Sequence, residues 1–125
     1  MSAVMTELAK LRIRERGTIV LAAVEGEVDL SNKEALISQL TEAVSNSATG
    51  LLLDLSKLEF MDSSGVHMLY TLAERLADRL QSYAVVLPPN SPPRRAIEFS
   101  GVEPAGWLHP DADTALRALA DGVPS

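Results

Sequence analysis

Residues 50–55, GLLLDL, constrain the fold more than any other stretch. Successive side chains of a strand point to opposite faces, and Leu51, Leu52 and Leu53 are all apolar. A short run of this kind, bounded by Gly50 and Asp54, suits a central strand buried on both sides. Such a strand needs covering layers. One is visible directly downstream: from Ser63 onward Val66, Leu69, Ala73, Leu76 and Leu80 recur at steps of three and four, which predicts a helix of roughly 17 residues with one apolar stripe.

The flanking segments continue the alternation. Residues 8–14 and 18–24 surround the turn-like Glu15-Arg16-Gly17 and predict a hairpin. Next comes EGEVDLSN over 25–32, read as a loop, in which Ser31 followed by Glu34 is a capping-box signature for a helix over 32–46. Residues 83–87, YAVVL, form the next strand. Pro92-Pro93 opens a short helix that ends at Gly101, and a weak strand near residues 106–108 precedes a last helix capped by Asp111 or Asp113. The expected class is α/β, a single domain over residues 1–125 with its core at about 8–121, built on a mixed sheet of about four to five strands with about four helices. The first seven and last five residues read as frayed ends.

Composition removes whole classes of function. The chain has no cysteine, which excludes disulfides and thiolate chemistry, and its two separated histidines, His67 and His109, give no basis for a metal site. The formal charge of −6, without a dense Lys/Arg cluster, argues against nucleic acid as a partner. No apolar run reaches the roughly 20 residues of a membrane span, and MSAVMTELAKLRIRERG has no signal-peptide core. The expectation is a soluble cytoplasmic protein that binds another protein or a small ligand, with no cofactor.

The chemistry concentrates in FMDSSGVHML, residues 60–69. A nucleophile elbow needs G-x-S-x-G, but Met61 stands where the first glycine belongs, and no histidine is placed in sequence to act as a base for Ser63. Phosphorylation of Asp54 in the manner of a response regulator requires a lysine late in the chain, and the last lysine is Lys57. The P-loop pattern is absent. What remains is a helix start, where the Ser63 hydroxyl either caps free backbone N–H groups or serves as a site of modification.

Three stretches carry a resemblance: EGEVDLSN (25–32), LLLDLSKLEFMDSSGVHML (51–69) and NSPPRRAIEFSGVE (90–103). In this order they resemble the STAS-domain anti-sigma factor antagonists of bacteria, and with the element order the resemblance spans about residues 8–121. It implies a binding protein without catalysis of its own. The unphosphorylated form would bind an anti-sigma factor that is also a serine kinase and so release a sigma factor. Phosphorylation of Ser63, the first serine after the aspartate, would end that binding, and a serine phosphatase is a further partner compatible with the scheme. The same resemblance puts Asp29 and Asp62 on the partner-facing surface and has Ser64 and Gly65 shape the helix start. A second reading stays open, a STAS module that mediates interactions or binds a small ligand within a transporter or stress-signalling complex.

Other polar residues carry weaker expectations. Asp29 is read equally as the start of a capping turn and as a partner contact. Glu25 and Glu27 are read as solvated loop charges, His67 as solvent-facing, the Arg94-Arg95 pair as solvated and Trp107 as a core or rim aromatic.

Overall fold

The computed structural model describes residues 2–5, 8–99 and 106–120, the first of these as backbone. Among these residues seven strands form one mixed sheet: β1 (Ser2–Met5), β2 (Ala9–Arg16), β3 (Ile19–Val28), β4 (Gly50–Asp54), β5 (Leu58–Met61), β6 (Ser82–Val86) and β7 (Leu108–His109). Four helices join them: α1 (Lys33–Ala43), α2 (Ser63–Asp78), α3 (Pro92–Phe99) and α4 (Ala112–Ala120). The first three strands pair antiparallel, and β3, β4, β6 and β7 run parallel in that spatial order.

The triple leucine occupies the centre, as its pattern requires. Leu51 and Leu53 face the larger core with Leu36 and Leu40 of α1, Met68, Leu69, Leu72 and Leu76 of α2, and Ile97 of α3. Leu52 points the other way, into a smaller cluster with Ala84, Val86, Ala115 and Leu119, so among the described helices α4 is the one that covers that face. Trp107 lies in the larger core beside Tyr70 and Tyr83, with ring centroids 5.1 and 5.2 Å away.

The α/β class and the helices are as expected, whereas the sheet is wider than four to five strands. Residues 2–5, expected to be frayed, pair with β2 as an edge strand. The other addition is β5. It lies along β3 beyond the end of β4, so β4 and β5 occupy one edge of β3 in succession and β2 takes the other. For the same reason β3 does not stop at residue 24: it runs to Val28, and Glu25 and Glu27 belong to a strand rather than a loop.

A register shift between Gly26 and Glu27 makes this possible. Gly26 pairs with Leu58 but Glu27 pairs with Phe60, so Glu59 is the extra residue of a bulge. Leu58 and Met61 are buried while both residues between them are exposed. Gly26 itself has φ +100, and a Cβ there would stand 2.3 Å from the Leu8 carbonyl oxygen, so only glycine serves.

The helix boundaries are α1 at 33–43 rather than 32–46, α2 over 16 residues and α4 capped by Asp111, whose carboxylate accepts from Thr114 N–H at 2.8 Å. The expected end of α3 at Gly101 and the frayed last five residues lie outside the described residues.

Candidate functional site

The β3–β5 pairing builds the site. Val28 and Met61 are register partners at the carboxyl ends of two parallel strands, so the segments that follow them leave the sheet side by side. Asp62 N–H donates to the Val28 carbonyl at 3.3 Å, which fastens the entry of α2 to the end of β3. Asp29 and Asp62 thus stand on adjacent exits, each the first residue after its strand.

Both aspartates carry the local turns. The Asp29 carboxylate accepts from Ser31 N–H at 2.8 Å and from the Ser31 hydroxyl at 2.5 Å. These bonds favour the ionised form: the Ser31 hydroxyl first, then the Ser31 N–H, hold the Asp29 pKa below the usual carboxylate range. The capping box expected of Ser31 and Glu34 is therefore not formed. Ser31 is spent on Asp29, and Asn32 takes the N-cap position of α1. Asp29 fills the role of turn-starter that its position suggested.

Asn32 is buried, and both ends of its side-chain amide are hydrogen-bonded. Its Nδ2 donates to the Glu27 carbonyl at 2.8 Å, and its Oδ1 accepts from Asp29 N–H at 3.0 Å. The sequence reading passed over this residue.

At α2 the capping role falls to an aspartate and not to the serine. Asp62 is the N-cap, its carboxylate accepting from Ser64 N–H at 2.8 Å. Its carbonyl accepts from Gly65 and Val66 N–H at 3.0 and 3.3 Å. Ser63 is the first residue of the helix and is exposed, Ser64 is half-buried and Gly65 is buried. The Ser63 hydroxyl is left out of the cap. Because Gly65 packs on Met61, the helix start sits down close against the end of β5.

A repeated signal marks these turns. In Asp29-Leu30-Ser31, Asp54-Leu55-Ser56 and Asp62-Ser63-Ser64 the carboxylate accepts from the N–H two residues on, and each aspartate ends or follows a parallel strand. D-x-S is the pattern that would have found all three.

One turn along α2, His67 is exposed, as expected, yet it is engaged: its Nδ1 lies 3.3 Å from Lys33 Nζ at the start of α1. Among the described residues no hydrogen bond joins Ser63 to either histidine. Arg95 is exposed, but Arg94 departs from the solvated reading, since its Nη1 is buried without a hydrogen-bond partner. Among the described residues no group of three His, Asp or Glu side chains is placed to hold a metal ion, and no helix is long and apolar enough to cross a membrane.

The surroundings are open. Leu30 is 72% exposed and Phe60 46%, on the two segments that carry Asp29 and Asp62. A cleft of about 290 Å³ exists elsewhere, on the α4 side of the sheet between Arg12, Arg14, Arg16, Leu21, Leu52 and Leu116, and it includes none of the five site residues. The site is a surface with apolar side chains beside an exposed hydroxyl and two acids.

The model of the STAS domain family matches residues 10–115. The chain belongs to the STAS family. Similar proteins include the anti-sigma-F factor antagonist RsfB of Mycobacterium tuberculosis, 27% identical over 110 residues that make up 88% of each chain. The crystal structure of an anti-sigma factor antagonist from Mycobacterium paratuberculosis superposes with a TM-score of 0.78 at 29% identity, covering 90% of this chain and 95% of that one. The phosphorylated form of the Bacillus cell fate determinant SpoIIAA shares the STAS fold at a TM-score of 0.60 and 23% identity, over 86% of this chain and 96% of that one.

Proposed function

We propose that this STAS domain is an anti-sigma factor antagonist switched by phosphorylation of Ser63. The observation that carries the reading is the state of the Ser63 hydroxyl: exposed at the first position of α2, with the helix cap already supplied by Asp62. That hydroxyl is free for chemistry the fold does not need. The names of the RsfB relative and of the Mycobacterium paratuberculosis structure support the same reading.

In this scheme the domain is a cytoplasmic binding partner and substrate, not an enzyme. Unmodified, it presents Asp29, Asp62, Ser63 and the flanking Leu30 and Phe60 to an anti-sigma factor, with Ser64 and Gly65 setting the helix start. The anti-sigma factor, acting as a serine kinase, joins Ser63 Oγ to the γ-phosphorus of ATP. The bond from that phosphorus to the departing ADP breaks, and the hydroxyl proton passes to a base on the kinase. A helix N-terminus tolerates the added charge of about −1.5 to −2, since its dipole favours anions. An interface closing over that charge does not, because burying an added dianion that the partner does not pair is costly. A serine phosphatase would restore binding.

Calorimetric titration against an anti-sigma factor, together with thermal melts, tests the switch. Ser63→Ala should bind as the wild type does and persist in binding after incubation with ATP. Ser63→Glu should lose a hundredfold or more in affinity, about 2.7 kcal/mol, with a melting temperature near that of the wild type. Wild-type affinity in Ser63→Glu, or phosphate mapped to Ser64 after the kinase reaction, would sink the proposal.

A further inference from the structure

Lys33 is placed unusually for a lysine at a helix start. It opens α1, where the dipole disfavours a cation, and its side chain is only 14% exposed. Its acidic neighbour is Glu34, whose carboxylate is 3.6 Å from Nζ and 78% exposed, an arrangement of small energetic consequence. What the burial achieves is to lay the ammonium across to α2, within 3.3 Å of His67 Nδ1. An ammonium can only donate. His67 Nδ1 must therefore accept, which puts the ring proton on Nε2 and leaves that N–H available as a donor.

His67 is four residues after Ser63, and both are exposed residues of the same helix. Residues at this spacing are neighbours on a helix surface, roughly 5 to 6 Å apart at Cβ. A phosphate on Ser63 would extend beyond its Cβ into the space the imidazole borders. Resting on the functional reading above, we infer that Lys33 and His67 form a built-in clamp for a phosphate carried by Ser63, drawing it across from α2 toward the start of α1. The acidic groups nearby are Asp29 and Asp62 on the strand exits and Glu34 on α1, and a doubly charged phosphate competes with the exposed Glu34 for the Lys33 ammonium. The clamp gives phosphorylation a second effect besides added charge: it engages the Lys33 ammonium and the neutral His67 Nε2–H donor, which a partner would otherwise find unoccupied by phosphate.

The test uses full-length protein with phosphoserine built into position 63 during synthesis, so that no kinase is involved. The phosphorus resonance is followed through a pH titration in the wild type, in His67→Ala and in Lys33→Met. The second pKa of the phosphate should be lower in the wild type than in either variant by about 0.3 to 0.7 units, and the gap should narrow in high salt. His67 is exposed, so His67→Ala leaves the fold intact and decides the matter even if Lys33→Met loses stability. Superimposable titrations of wild type and His67→Ala overturn the clamp, as does a rise in His67→Ala with none in a folded Lys33→Met. Failure of an anti-sigma kinase to modify Ser63 would sink the functional reading without moving these curves.

Discussion

Gly65 lies directly on the side chain of Met61: a Cβ at position 65 would stand 2.0 Å from Met61 Cγ and 2.7 Å from its sulfur. Met61 is itself buried at the end of β5, so it has little room to yield. Gly65→Ala should therefore cost about 1 to 2 kcal/mol, overpacking exceeding the roughly 1 kcal/mol that alanine gains within a helix. Denaturant unfolding measures this. Combined with Met61→Ala, the loss should be smaller than the sum of the two single changes, since the clash disappears with its partner.

The division of labour between Asp62 and Ser63 predicts opposite results at neighbouring positions. Asp62→Ala removes the acceptor for Ser64 N–H and should cost about 1 kcal/mol, whereas Ser63→Ala should stay within about 0.5 kcal/mol of the wild type. Thermal melts of the two proteins are sufficient. A larger loss at Ser63 would mean that the serine caps the helix after all.

Much of this was legible in the sequence, and what was not has definite causes. The apolar run of GLLLDL, the α2 stripe and the hairpin each formed close to the expected residues, except that Leu80, read as the last member of the stripe, lies beyond α2 with φ 58 and is 95% exposed. LEFM shows no period. Its buried ends flank two exposed residues because Glu59 is a bulge, and only the partner strand reveals that. Ser31 and Ser63 each read as a possible cap, since a hydroxyl before a helix is a common one, but Asp29 accepts from Ser31 N–H and Asp62 from Ser64 N–H, and the N-cap positions fall to Asn32 and Asp62. Ser63 and Asp29 stood out as residue types. The Lys33–His67 contact joins residues 34 apart and had no local signature.

Asn32 should be one of the costlier residues to replace near the site. Asn32→Ala leaves the Glu27 carbonyl and the Asp29 N–H without their partner in a half-buried setting, for a loss of about 2 to 3 kcal/mol. Asn32→Asp should not rescue it, because a carboxylate keeps the acceptor and discards the donor that Glu27 needs. Unfolding midpoints of both variants provide the check.

Acid should loosen the Asp29 turn before neutral pH has any effect on it. The folded pKa of Asp29 is lowered, chiefly by the Ser31 hydroxyl and then by the Ser31 N–H. Its contribution to stability is thus fully present above the unfolded carboxylate value of about 3.9 and is lost as the pH falls through the lower folded value. Carboxyl chemical shifts followed through an acid titration should show Asp29 below the ordinary range and Ser31→Ala moving it back up. An Asp29 value unchanged by that substitution would contradict the assignment.

The single extra residue in β5 also sets the phase of everything after it. With a regular two-residue repeat from Leu58, Phe60 would turn inward and Met61 outward, taking with it the floor on which Gly65 rests and rotating the first turn of α2. The side chain at position 59 is exposed and open to change, but the length of the segment is not. In a lineage of such domains, then, drift at this position is read as neutral when it alters the letter and as a change of aim when it alters the count.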